Sequence, residues 1–352
     1  TGDNPHVLAV ALSVDGQHLA MSEGNGNIRV WDVESSQPRT WRKKRAVLKA
    51  DPARVLAFSP DGHYLASGHA QATRIWELAT GEIVQESKRT GTFAFSSDGR
   101  ILAVQSGRQV HLMDLATSNE LPPLTGHQWA INAVTFSQDG TRLVSVSDDT
   151  TGLVWDGASL LPPSPLVERS KADVRTIWEN LGDDDEAVAY RAAWQLTNST
   201  PSAVARLRDR LKPVAAAAET KRIEALIHKL DSDEEEARKR AYEDLEELGA
   251  VAEPALTRAL KSGPSLEIRR RLEELLARVS KLTQQRLQQL RAILALERAA
   301  APEARQLIKS LAEGEDGAWL TEQARKALER SDRRLANKPV AVPSTNGKNP
   351  KG

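Results

Sequence analysis

His127 is one of seven histidines, with His6, His18, His63, His69, His111 and His228, and an imidazole can act as a general base or a metal ligand. None of the seven falls in an HxH or HExxH pattern, so no ligand pair sits on one strand or one helical face. Asp231, Asp233 and Glu235 begin like a calcium-binding loop. Such a loop needs glycine at its sixth place and glutamate at its twelfth, and here those are Glu236 and Tyr242. Acids there, and at Asp183-Asp184-Asp185, suit the positive end of a helix instead. Gly24-Asn25-Gly26-Asn27 has the glycines of a phosphate cradle but lies between two strand-like runs, without the following helix that would supply the amides. Arg42-Lys43-Lys44-Arg45, beside Trp41, is the one dense basic run before residue 160. It could touch nucleic acid or an acidic partner, and is more often a solvated loop. No Gly-x-Ser-x-Gly elbow, P-loop or paired-carboxylate motif occurs, so no catalytic residue, cofactor-binding residue or metal ligand is assigned.

Composition points the same way. The 352 residues contain no cysteine, which excludes a disulfide framework, an iron–sulfur site and a thiol nucleophile. The 48 Lys+Arg equal the 48 Asp+Glu, which argues against a general nucleic-acid binder, whose affinity comes largely from neutralised phosphates. No apolar run approaches the length of a membrane span, and no secretory signal pattern is visible. A cytoplasmic location is the expectation.

Two sets of elements must carry whatever these residues do. Up to about residue 160 the apolar residues are Val, Ile, Phe and Trp with glycine-containing turns; beyond it they are mostly Leu and Ala among denser charge, a switch from strand to helix chemistry. The first part repeats. Asp15-Gly16, Asp61-Gly62, Asp98-Gly99 and Asp139-Gly140 each follow a short apolar strand ending in serine. Each precedes a second strand and then a third that closes on a bulky residue plus an acid: Trp31-Asp32, Trp76-Glu77, Met113-Asp114 and Trp155-Asp156. A period near 40 residues with several strands predicts propeller blades, none of which can bury both of its faces alone.

The phrases FSPDG (58–62), FSSDG (95–99) and FSQDG (136–140) resemble the core of the WD-repeat family, and the stretch from Gly126-His127 to Trp155-Asp156 is the fullest match. The resemblance implies a hydrogen-bonded structural tetrad at His127, Ser145, Asp149 and Trp155, a better account of His127 than catalysis. The other repeats depart from the pattern, with Asn25 and Ala70 where the aspartate belongs and Met113 in place of the tryptophan. In that family the loop after the Gly-His pair lines a partner-binding face. Trp129 is therefore either an exposed anchor or a side chain packed on the next blade. The family commonly has seven blades, and its last blade borrows an outer strand from the N-terminal end of the ring. The closing strand and about three blades are thus expected upstream of Thr1, unless the chain closes by self-association.

From about Lys171 to Ser331 the spacing is helical: Val174, Ile177, Trp178 and Leu181 form one stripe, Ile223, Leu226, Ile227 and Leu230 another. About ten helices are expected. Ser232 and Glu235 have capping-box spacing, Gly249 suits a helix end and Pro302 a helix start. Arg269-Arg270-Arg271 is expected to face solvent. The run 231–249 with the following AEPALTRAL resembles a HEAT-type repeat.

The fold class predicted is thus β then α: a partial WD-repeat β-propeller of about four blades (1–160), a proline-rich linker (161–171), an α-helical HEAT-like domain (172–335) and a disordered tail (336–352). The order resembles that of large bacterial WD-repeat proteins. The function expected is a non-enzymatic scaffold for protein partners, with neither cofactor nor nucleic acid. Contacts are expected at Trp129, Trp41, Arg42, Lys43, Lys44 and Arg45. The alternative is the C-terminal sensor part of a larger bacterial signalling or transcription-regulating protein with its catalytic domain upstream.

Overall fold

The computed structural model describes residues 6–33, 52–160, 174–197, 204, 207–211, 220–279, 283–299 and 301–336. Trp41 and the basic run 42–45, the proline-rich segment 161–171 and the tail from 337 onward lie outside the described residues.

Among the described residues, four antiparallel sheets follow one another, then helices. Blade 1 is β1 (Val7–Leu12), β2 (His18–Glu23) and β3 (Ile28–Asp32); blade 2 is β4 (Val55–Phe58), β5 (Tyr64–Gly68), β6 (Thr73–Glu77) and β7 (Glu82–Ser87). Blade 3 is β8 (Phe93–Phe95), β9 (Ile101–Ser106), β10 (Gln109–Asp114) and β11 (Asn119–Thr125); blade 4 is β12 (Ile131–Phe136), β13 (Arg142–Ser147) and β14 (Gly152–Asp156). Each sheet is a meander whose strands pair in sequence order, and the four form an arc rather than a closed barrel.

The same local chemistry makes the first turn of every blade. A serine hydroxyl donates to the turn aspartate at 2.5–2.6 Å, and that carboxylate accepts the backbone N–H two residues on at 3.0–3.1 Å. The following glycine sits at φ of +71° to +73°, where a side chain is strained. These turns line up along one end of the arc: a side chain at Gly140 would strike Ser97, and one at Gly99 would touch Pro60.

The blades interlock by size. The face that blade 1 turns to blade 2 is small (Ala9, Ala11, Ala20, with Val30), and it receives Leu56, Phe58, Leu65 and Trp76. Blade 2 offers Ala66 and Ile75 to Phe93, Leu102 and Met113 of blade 3. Blade 3 offers Ala94, Ala103 and Leu112 to Val134, Leu143 and Trp155 of blade 4. Large side chains set into a small-residue face exclude water with few voids, and each one buried contributes about 1.5–3 kcal/mol.

After the short α1 (Gly157–Leu160) come α2 (Val174–Leu181), α3 (Glu186–Thr197), α4 (Thr220–Lys229), α5 (Glu235–Leu248), α6 (Glu253–Lys261), α7 (Leu266–Val279), α8 (Gln284–Ala299), α9 (Pro302–Ala312) and α10 (Trp319–Ala336). They build two cores, not one run of equivalent helices. One joins α2, α3, α8, α9 and α10 with Val204, Leu207 and Leu211; the other, among the described residues, is formed by α4 to α7. Pro302 opens α9, and Gly249, at φ +54°, follows α5. The Ser232–Glu235 capping box does not form. Helix α5 starts at Glu235 behind Glu234, and Ser232 Oγ accepts the Glu234 N–H within the preceding turn. Arg271 also departs from expectation. It reaches back to the Leu230 carbonyl at 2.6 Å, satisfying an acceptor at the end of α4, while Arg270 is exposed.

Candidate interaction surfaces

In blade 4 the indole N–H of Trp155 donates to Ser145 Oγ at 3.0 Å, and Ser145 Oγ lies 2.8 Å from His127 Nε2. The ionised Asp149 facing Nδ1 can only accept, so the other ring nitrogen, Nε2, is bare and accepts the Ser145 hydroxyl. His127 Nδ1 then carries the ring proton and donates to Asp149 Oδ2 at 3.1 Å. Ser145 and His127 are buried, and both ring nitrogens are engaged. Such a ring holds structure well and has no nitrogen free for a substrate. Thr151 foremost, then the Gln128 and Thr151 backbone amides and His127, hold the Asp149 carboxyl well below the ordinary range against the cost of its desolvation.

The chain fixes a loop. Asp149 Oδ2 accepts the Gln128 N–H at 2.8 Å, Ala130 O accepts the Asp148 N–H at 3.0 Å, and Trp129 O accepts the Ser147 hydroxyl at 3.1 Å. Trp129 stands on this pinned backbone with 66% of its surface exposed. It does not pack away against the neighbouring blade. Blade 2 holds a related chain, with Trp76 Nε1 to Ser67 Oγ at 2.7 Å and Ser67 Oγ to His69 Nε2 at 2.8 Å. There the imidazole comes from the residue just after β5 rather than from the loop entering the blade, which the repeat pattern did not reveal.

The opposite end of the arc is covered at blades 2 and 3. Helix α8 is buried on several sides, and its arginines at 291 and 298 lie two turns apart, about 10.5 Å along one face. Arg291 grips Glu77, the acid closing β6, with two hydrogen bonds of 3.0 and 2.8 Å, and gives a third of 2.8 Å to the Leu181 carbonyl. Arg298 donates to Asp61, the turn aspartate of blade 2, at 2.6 and 3.2 Å. Its guanidinium lies over the Trp194 ring at 4.1 Å and the Tyr64 ring at 5.6 Å. Tyr190 of α3 meets Tyr64 edge-on at 4.8 Å. Glu297, between them on α8, lies 2.7 Å from Arg330 and 3.6 Å from His63. Burial alone would raise the Asp61 carboxyl, but the charges of Arg298 and His63 and the Ser59 hydroxyl outweigh it and hold that acid well below its usual value. Glu297 is likewise kept low against burial, by His63 and Arg330. Burial pushes the Tyr64 and Tyr190 hydroxyls up.

Sequence reading missed this clamp. The arginines are lost in a helix without a clear apolar stripe, and the acids belong to the repeat motif itself. The spacing of seven between Arg291 and Arg298 was the available signal. Among the described residues, no group of three His, Asp or Glu side chains could hold a metal ion, and no helix is long and apolar enough to cross a membrane.

Three stretches, 1–32, 43–77 and 118–156, match the family model for the WD domain, G-beta repeat. These segments hold β1–β3, β4–β6 and β11–β14. The chain contains WD40 repeats. Strands β7 to β10 fall outside the match, and in β10 Met113 replaces the tryptophan that in blades 2 and 4 donates to a serine.

The curated relatives agree. A WD repeat-containing protein of Schistosoma mansoni, SL1-17, is 32% identical over 158 residues, covering 43% of this chain and 50% of that protein. An uncharacterized WD repeat-containing protein of Synechocystis, sll1491, is 35% identical over 112 residues, covering 30% of this chain and 32% of its own. The target of rapamycin complex subunit LST8 of Saccharomyces cerevisiae is 27% identical over 125 residues, covering 34% of this chain and 41% of that subunit. The chain thus spans half or less of these relatives.

Proposed function

We propose that this WD40-repeat chain is a non-enzymatic scaffold whose helices occupy one end of the blades and whose opposite loop end, centred on Trp129, takes a protein partner. The observation that carries it is the pairing of a spent end with a prepared one. Arg291 and Arg298 fill the end holding the β4–β5 and β6–β7 turns, while a large aromatic stands exposed on a hydrogen-bonded loop at the other. Rigid aromatics lose little entropy on binding and are frequent anchors of interfaces. A relative named as a target of rapamycin complex subunit fits the same use. His127, Ser145, Asp149 and Trp155 serve the scaffold by holding the loop rather than by reacting.

The helices add a second surface at a fixed attitude to the first, because the buried ion pairs join the two regions. In α4 to α7, one antiparallel pair stacks on the next, α4 against α6 and α5 against α7, which supports reading this unit as HEAT-like.

The test is capture of complexes from the source cells on the full chain, followed by crosslinking and mass spectrometry. Partner crosslinks are expected at the 126–130 and 148–151 loops, and Trp129→Ala should weaken capture at least tenfold while leaving the fold intact. Capture indifferent to Trp129→Ala, with crosslinks confined elsewhere, would overturn the assignment.

A further inference from the structure

The repeat sorts charge along the blades. The turn aspartates Asp15, Asp61, Asp98 and Asp139 lie at one end. The acids that close the third strands lie there too, because Asp32, Glu77, Asp114 and Asp156 stand opposite the first residues of β2, β5, β9 and β13. This is the end at which α8 supplies Arg291 and Arg298 to blade 2.

The loop end carries the other sign. Arg54 donates its N–H to the carbonyl of Gly68, where β5 ends. Lys88 follows Ser87, which lies opposite Thr73 at the start of β6, and Arg108 sits in the turn between β9 and β10. The same turn joins the Trp129 loop, since Gly107 O accepts the Ile131 N–H at 2.8 Å. Arg54, Lys88 and Arg108 are exposed, and none pairs with a carboxylate among the described residues. The acids near them are engaged. Glu23 is buried against Arg29 at 3.1 Å, Glu86 pairs with Arg74 at 2.6 Å, and Asp149 is spent on Gln128, Thr151 and His127. Asp148, which accepts the Asn132 amide at 2.6 Å, is the exposed acid left there without an ion pair among the described residues. Unpaired cations on a rigid face beside an exposed aromatic suit a ligand of opposite charge with an apolar group.

We infer that the loop end takes an acidic peptide segment of its partner, with Trp129 holding an apolar side chain and Arg54, Lys88 and Arg108 meeting the carboxylates. This rests on the loop end being the partner face. The acidic end is treated in the complementary way, with guanidinium groups of α8 brought to its carboxylates. A nucleic acid is disfavoured: the chain has no excess of cations, and phosphate affinity grows with the number of charges neutralised.

Fluorescence anisotropy on the full chain tests this with labelled peptides of alternating glutamate and leucine, their glutamine and lysine counterparts, and single-stranded DNA. The acidic peptide should bind tightest. Arg54→Gln, Lys88→Gln and Arg108→Gln combined should weaken it about tenfold, the sum of three exposed charge pairs. That loss should vanish in about 1 M salt, where the screening length is about 3 Å. Trp129→Ala should weaken the acidic and the glutamine peptide alike, at low and high salt. All four positions are exposed, so circular dichroism and the thermal midpoint should match the parent. An acidic peptide bound no better than its glutamine counterpart, a triple variant of parental affinity, or DNA bound more tightly than the peptide would each overturn the inference. If capture of cell partners still depends on Trp129 after such a result, the partner face stands and only its acidic ligand is lost; capture indifferent to Trp129→Ala removes both.

Discussion

Blades 2 and 4 share a turn, Ser59–Asp61 in one and Ser137–Asp139 in the other, yet Asp61 is shut beneath α8 with Arg298 on its second oxygen while Asp139 faces solvent. Blade 4 carries a hydrogen-bonded chain from Trp155 through Ser145 and His127 to Asp149; blade 2 carries one from Trp76 through Ser67 to His69, with Ala70 where the repeat has its aspartate. Their surroundings differ. Every residue of β5 is buried between two blades and the helices, whereas β14 has one face in solvent. A blade wedged on both sides is held chiefly by packing, which is non-directional. A blade with one bare face depends more on directional bonds between its own strands and loops.

The clamp is where the contrast breaks most sharply. Arg298→Ala leaves Asp61 buried without its cation, and removing one member of a buried ion pair costs about 3–5 kcal/mol. Denaturant unfolding should report that loss. The matching change in blade 4, Asp139→Asn, should cost well under 1 kcal/mol, because the site is exposed and an amide oxygen can still accept from Ser137 and Thr141. Equal costs at the two sites would show that α8 is not what distinguishes the blades.

Ser145→Ala comes next. It strands the Trp155 indole N–H and His127 Nε2 in a buried setting, for about 1–3 kcal/mol. Hydrogen exchange should locate the loss in β13, β14 and the Trp129 loop. Ser67→Ala removes the corresponding hydroxyl from blade 2, but its amides should stay protected to the global limit because neighbours enclose the sheet.

The smallest effect is in acid. Asp61 and Glu297 lie below their unfolded values of about 3.9 and 4.3. As the pH falls past those values the unfolded chain takes up protons first. The stability these acids contribute is complete above about pH 5 and is lost as the pH falls through their folded values. Unfolding free energy should therefore decline below about pH 5, and Asp61→Asn should make that decline shallower. An unchanged slope would mean that Asp61 does not feel Arg298 as the geometry requires.

Much of this protein is written locally in the chain. A serine, an aspartate and a glycine in sequence set each turn, because the bonds involved span five residues or fewer. Period-2 and period-3.6 spacing set strands and helices, because the backbone geometry repeats at those intervals. His127, Ser145, Asp149 and Trp155 were also legible, since all four lie within one repeat. Tertiary structure alone decided the rest. Arg291 and Glu77 are 214 positions apart, Arg298 and Asp61 237, and no local pattern pairs an arginine with one acid among 48. The same holds for the division of the helices into two cores, and for His69 serving where the repeat has no histidine. In each case the choice rests on which side chains fit and which charges can leave water together, and those conditions exist only once distant segments have met.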